Sequence, residues 1–249
     1  MSVTENDRVR FAAAVEAAEA RVRAAGGIGT LGERTLHAAL KLYYEPDADF
    51  HEVGVGRYVA DIKNADGITE IQTRGFSSLG KKLDAFLPEG QVTVVYPLAA
   101  KKWIAMLDPE TGTLGEKHKS PKKETPLDAL WELSFILPHI GDVNLTVRLP
   151  MLEVLEFRRR GGRRWRNSTT RLERLPLDLI DEAVLRTKDD WRALLPAALP
   201  AVFTAADFAK AAKRNQKFTQ KALKTLCALG TVERCGKVQH AYLYQRSED

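Results

Sequence analysis

Two segments, Tyr58-Val59-Ala60-Asp61-Ile62 and Gly67-Ile68-Thr69-Glu70-Ile71-Gln72, hold the residues best placed to do chemistry. Both have the β-branched and aromatic content of strands, and Asn64-Ala65-Asp66-Gly67 between them is strong turn chemistry, so a hairpin is expected. Side chains alternate faces along a strand, which puts Asp61 with Val59 and Glu70 with Gln72. The register then decides the chemistry. A loop of residues 64–67, or the tighter 65–66, sets Asp61 directly opposite Glu70, with the two Cβ atoms about 4.5 to 5.5 Å apart. Like charges at that separation repel, so a cation is needed between them. Mg²⁺ or Mn²⁺ suits the position, because a hard divalent ion is commonly held by one or two carboxylates together with substrate phosphate and water. A loop at Asp66-Gly67 instead brings Lys63 opposite Glu70, and the pair becomes an ordinary ion pair.

The elements that must hold this hairpin are legible on both sides of it. Residues 5–25 have helical periodicity and end at Gly26-Gly27, which suggests an appended N-terminal arm over residues 1–31. A second helix is expected from Gly32 to Tyr44, with Leu36, Leu40 and Tyr43 on one face and Pro46 past its end. Phe50–Val55, Tyr58–Lys63 and Ile68–Thr73 should form a three-stranded meander. Ser78–Leu87 has apolar residues at helical offsets, and Gln91–Tyr96 is a continuous apolar run of the kind buried on both sheet faces.

A helix, three meandering strands with Asp on the second and Glu-x-Gln on the third, then a helix and a strand: this order resembles the PD-(D/E)XK nuclease superfamily, the restriction-endonuclease-like fold, over about residues 32–98. The resemblance implies an α/β (α+β) domain with a mixed sheet flanked by helices. It implies a metal held by Asp61, Glu70 and the backbone carbonyl of Ile71, with Glu33 orienting a bound water. Glu33 at a helix start is also simply favourable dipole placement. The family's lysine, two residues past the Glu, is Gln72 here; an amide orients water but carries no charge. On a 100° wheel from Leu79, Lys82 flanks the apolar face of the next helix and is the candidate substitute, or else a boundary lysine whose stem covers apolar surface. With that set in place the reaction is metal-assisted phosphodiester hydrolysis.

Further along, Trp103–Leu107 and Leu114 onward suggest a hairpin, Leu127–Leu137 a helix, Val143–Phe157 a long strand and Leu177–Leu185 a shorter segment. From residue 188 a small second domain is expected. Thr204 caps a short helix, a turn falls near 214–216, a second helix runs from Thr219 to Leu229, and Thr231–Arg234 and His240–Gln245 form a hairpin about Cys235-Gly236-Lys237. This succession resembles a winged helix-turn-helix. It offers Lys217, Thr219, Gln220, Lys221 and Lys224 at the start of the second helix, and Lys237 at the hairpin tip, to the major groove and phosphates of DNA. Winged helices also bind proteins, so that alternative stands beside it.

Charge agrees with a polyanion partner. The net +5 of the 249-residue chain is modest, but Lys117, Lys119, Lys122 and Lys123 cluster, as do Arg158, Arg159, Arg160, Arg163, Arg164 and Arg166 around Trp165. Trp165 either stacks on a base or anchors its loop. Duplex DNA is the expected partner, with RNA and a homodimer left open. With 44% hydrophobic and 29% charged residues, no apolar run of membrane-spanning length and no signal-peptide pattern, a folded cytoplasmic protein is expected. Cys227 and Cys235 make no zinc-site pattern. The sequence thus supports two functions: a metal-dependent DNA nuclease targeted by its C-terminal module, or a non-catalytic DNA-binding regulator that keeps a nuclease-like domain.

Overall fold

The computed structural model describes residues 3–24, 34–73, 75–108, 111–160 and 169–247. Glu33, Arg163, Arg164, Trp165 and Arg166 lie outside the described residues. Chain order begins with helices α1 (Glu5–Ala24) and α2 (Arg34–Tyr44), then the meander β1 (His51–Val55), β2 (Tyr58–Asn64) and β3 (Gly67–Ile71). Helix α3 (Gly80–Phe86) then crosses over to β4 (Val92–Val95), which lies parallel to β3. Next come β5 (Leu98–Leu107), the two-residue β6 (His118–Lys119), α4 (Ala129–Leu133) and a long antiparallel pair, β7 (Leu145–Arg160) with β8 (Thr169–Leu185).

Strand β4 and the start of β5 run along β7 in one register, Val92 beside Leu145, Val95 beside Arg148 and Leu98 beside Met151, until a bulge after Ala99 shifts it. They therefore act as a single bent line, and the β3–α3–β4 crossover delivers β3 to its edge. The result is a mixed sheet covered on both faces. One core gathers Leu83 and Phe86 of α3, Leu130 and Leu133 of α4, and Val92, Val94, Val147 and Leu149 of the sheet. The opposite core gathers Phe11, Ala14 and Ala18 of α1, Leu36, Leu40 and Tyr43 of α2, and Ile62, Ile71, Val95, Leu152 and Leu179. The apolar run at β4 is buried on both sides as its composition requires, Val92 and Val94 facing one core and Val95 the other.

The turn between β2 and β3 depends on Gly67. Its φ is +120°, and a Cβ there would lie 2.3 Å from the Gln91 carbonyl oxygen, so any side chain would push β3 off the start of β4. Helix α1 is not the appended arm that its glycine-rich end suggests. It lies across α2 and β8, with Phe11 and Ala18 buried and Phe11 edge-on to Tyr43. The middle of the chain departs further from expectation. The segment expected at 177–185 is the end of a 17-residue strand, β8, paired along β7. The hairpin expected after Trp103 is present, as an antiparallel Leu107–Leu114 bridge and the short β6 paired with Trp103 and Ile104. Bulges break the alternation of β7 and β8, at Met151/Leu152, Glu153/Val154 and Phe157/Arg158, which is why a period of two is faint in the sequence.

After β8 come α5 (Lys188–Arg192), β9 (Val202–Thr204), α6 (Ala205–Ala212), α7 (Gln216–Ala228) and the hairpin β10 (Val232–Val238) with β11 (Ala241–Arg246). Thr204 does cap α6, in a reciprocal box with Asp207, and Asn215 caps α7, which starts three residues before the expected Thr219. Strands β10, β11 and β9 form a separate three-stranded sheet. Phe203, Phe208, Leu223 and Leu226 from this segment join the core under α4. Among the described residues no helix is long and apolar enough to cross a membrane.

Burial of Phe11 gives a direct measure of how far α1 belongs to the fold. Phe11→Ala should cost about 3 kcal/mol or more in urea-denaturation stability, as for other large-to-small core changes, whereas a loosely attached helix would show less than about 0.5.

Candidate functional site

The β2–β3 ladder pairs Asn64 with Gly67, Lys63 with Ile68 and Ile62 with Thr69, the register that points Asp61 at Glu70. Lys63 stands opposite Ile68, so the arrangement in which it neutralises Glu70 is not the one adopted. Beyond Ile62 and Thr69 side chains take over from the ladder. Asp61 Oδ2 accepts the Ile71 N–H at 2.7 Å, and Glu70 Oε1 accepts the Asp61 N–H at 3.3 Å. Each carboxylate fills the hydrogen-bonding gap left by the other strand, and the two are drawn together at the fork.

The cation at this fork is Lys82. Its Nζ donates to Glu70 Oε1 at 2.9 Å and Oε2 at 2.8 Å and to the Val59 carbonyl at 2.8 Å. Three acceptors match the three donors of an ammonium group. Lys82 thus bonds the buried carboxylate directly and does not merely lie along apolar surface. Leu79, Leu83 and Phe86 dock α3 on the sheet and fix where the lysine starts. On the other side α2 brings His37, whose Nε2 lies 3.2 Å from Asp61 Oδ1. No motif marks His37 in the sequence; it is the next residue after Leu36 of the buried stripe, and only tertiary packing brings it to Asp61. Gln72 is half-buried and its N–H extends the parallel ladder to the Val95 carbonyl at 2.8 Å.

The two carboxylates are electrostatically unlike. Glu70 is 0% exposed; burial, and then the charge of Asp61, push it up from 4.5 to about 7 despite the opposing Lys82. Burial works against the Asp61 charge as well, but the neighbouring His37, the Ile71 amide and Lys82 together hold its carboxyl below the usual range. Among the described residues no three His, Cys, Asp or Glu side chains surround a common point as a metal cage would. Asp61 and Glu70 are oxygen donors of the kind a hard divalent ion takes. Accepting it requires Lys82 to release at least one Glu70 oxygen.

The C-terminal candidates separate into two faces. Thr219, expected on the polar side of α7, is fully buried and bonds back to the Asn215 carbonyl, so it cannot meet DNA. Lys221 lies over the rings of Trp131 and Phe135, with Nζ 4.0 and 3.8 Å from their centroids, and Lys217 stands 5.7 Å from Trp131. That side of α7 is turned to α4, where Arg214 grips Asp128 through two hydrogen bonds of 2.8 and 2.7 Å. Gln220 and Lys224 remain exposed and, with Arg234 of β10, line a cleft of about 430 Å³. Lys237 is not at the hairpin tip. It pairs with Tyr242, and the turn lies at Gln239-His240, because a bulge at Cys235 lengthens β10. Arg234 and Lys237 both sit over the Tyr242 ring, at 4.2 and 4.5 Å, a platform that composition alone did not mark.

The sign of the Glu70 shift fixes a pH dependence. A carboxyl raised on folding contributes stability that is fully present below its unfolded value of 4.5 and is lost as pH rises through about 7. In EDTA, the stability of the wild type minus that of Glu70→Gln should therefore fall by on the order of 3 kcal/mol between pH 4.5 and 8. A difference that stays flat across this range would mean that Glu70 is ionised as readily as an exposed glutamate.

All the fork residues described, from His37 to Lys82, fall inside a region similar to known sequences. An uncharacterized protein of Treponema pallidum (strain Nichols) is 31% identical over 186 residues, 74% of each chain. No solved structure matches the chain. The family model described as Domain of unknown function (DUF8091) matches residues 34–186, from the first described turn of α2 to the end of β8. The chain belongs to the DUF8091 family.

Proposed function

We propose that this protein is a divalent-cation-dependent nuclease that hydrolyses DNA phosphodiester bonds, with a restriction-endonuclease-like core and a C-terminal winged helix. The observation that carries the reading is the convergence of Asp61, Glu70 and Lys82 at the fork of β2 and β3. Two acids and a lysine at the point where antiparallel strands part, on a helix, meander, helix and strand, match the resemblance seen in the sequence. The lysine comes from α3 rather than from the position of Gln72.

Asp61 and Glu70 are the residues that hold Mg²⁺ or Mn²⁺, with the Ile71 carbonyl as a backbone donor. When bound, the ion supplies charge to the scissile phosphate and lowers the pKa of a coordinated water. Lys82, with 29% of its side chain exposed, lends a second positive charge to the phosphate once it loosens from Glu70. Gln72 orients the attacking water, a task that Glu33 shares. Glu70 must be ionised to hold the ion, so ion binding releases its proton and weakens as pH falls. Gln220, Lys224, Arg234 and Lys237 supply the phosphate contacts of the C-terminal module, and Lys217 contributes at its edge. Duplex DNA is the substrate best suited to a winged helix; RNA would use the same fork.

A second reading has its own observation. Lys82 already takes both oxygens of Glu70, and Gln72 brings no charge, as in a domain that binds DNA without cutting it. Supercoiled plasmid incubated with Mn²⁺ or EDTA separates the two. The nuclease reading expects Mn²⁺-dependent nicking that drops at least about 100-fold in both Asp61→Ala and Glu70→Ala. Salt-sensitive duplex binding with no nicking, unchanged by either substitution, would decide for the non-catalytic reading.

A further inference from the structure

We infer that His37 is a positioning residue of the cation site, fixing the plane of the Asp61 carboxylate from α2. The inference rests on the proposed cation site and goes beyond it, since neither the motif nor the fork itself requires a group from this helix.

An aspartate carboxylate turns on χ2, a soft torsion with broad minima. The Ile71 N–H holds Oδ2 at 2.7 Å, but a single hydrogen bond leaves the plane free to pivot about it. A second bond from another direction removes that freedom, and His37 Nε2 at 3.2 Å from Oδ1 is in position to supply it. The three groups involved come from three elements: β2 carries Asp61, β3 carries Ile71 and α2 carries His37. Helix α2 is itself immobilised, because Leu36, Ala39 and Leu40 around His37 are fully buried against the sheet. The contact is also partly shielded from water, the Asp61 side chain being only 13% exposed and that of His37 28%.

An exposed ion pair would contribute little to any function. Here the pinned carboxylate is one of two that must face a common ion, and a ligand held by an outer partner keeps its geometry when the ion is absent. Loss of such outer partners typically weakens metal affinity by about 10- to 100-fold. His37 itself touches neither ion nor substrate. Its effect passes entirely through Asp61.

The test is calorimetric titration of the intact chain with Mn²⁺ alone, beside thermal melting in EDTA. His37→Ala should weaken Mn²⁺ binding about tenfold or more while the metal-free melting temperature stays within about 2 °C. His37→Gln, whose amide can still donate to Asp61, should recover most of the affinity. Asp61→Ala should abolish binding. If His37→Ala binds Mn²⁺ as tightly as the wild type while Asp61→Ala does not bind, the inference falls and the cation site stands. If His37→Ala lowers the metal-free melting temperature sharply and His37→Gln restores melting but not affinity, His37 is structural and the inference falls as well. Failure of the wild type to bind Mn²⁺ would remove both.

Discussion

A carboxylate with no exposed surface, Glu70, governs the architecture around it. Removing an ionised group from water is costly unless it is paired and hydrogen-bonded, and breaking such a pair by losing one partner costs more than the pair itself contributes. Glu70 meets that demand with Lys82 from α3 and the N–H of Asp61 from β2. The chain must therefore hold α3, β2 and β3 in one arrangement. The packing of Leu79, Leu83 and Phe86, the close approach at Gly67 and the β3–α3–β4 crossover all serve it. The remaining cost is visible in the elevated Glu70, where burial and Asp61 still outweigh the lysine.

The parts legible in the sequence were those governed by local chemistry. Asn64-Ala65-Asp66-Gly67 set the hairpin register, and that register brought Asp61 toward Glu70. Capping at Thr204, the stop at Gly230 and the stripe of α2 were likewise written in residue types at fixed offsets. The long strand expected at 143–157 is β7, but most of its partner β8 and their pairing were hidden, because each bulge shifts the alternation by one and erases the period on which recognition depends. Lys82 could be singled out by helical geometry, but its partner could not. His37 was invisible, since its contact with Asp61 spans 24 positions and obeys no repeat.

The C-terminal segment shows the same limit from another side. Hydropathy marks Ala222, Leu223 and Leu226 as the buried stripe of α7, but it cannot tell a solvent-facing flank from one that meets another element. Thr219 and Thr225 are buried because α7 has a second neighbour: the Thr225 hydroxyl reaches the Leu130 carbonyl of α4. Lys221 then finds aromatic rings where water or phosphate was expected, a contact favourable to a cation in its own right. The cations left available shift to Lys224 and the β10 hairpin, where Tyr242 adds an aromatic face between Arg234 and Lys237.

The lysine of the fork stands on a helix and not on a strand, and this decides what controls it. A lysine at position 72 would be held by the ladder, since the backbone there is tied to Val95. Lys82 lies instead on a seven-residue helix whose first turn has no side-chain cap and whose preceding residues form a short 3-10 turn from Phe76. The Phe76 N–H is tied to Glu132 of α4, and Gly75 lies so close to the same carboxylate that a Cβ there would come within 2.9 Å of it. The turn that leads into α3 is thus anchored on α4, and α7 rests on the same helix through Thr225 and Lys221, with Arg214 just before α7 bonded to Asp128 just before α4. The helix that carries Lys82 and the C-terminal segment therefore share one support, and the position of the lysine is set by tertiary packing where a strand residue would be set by the ladder.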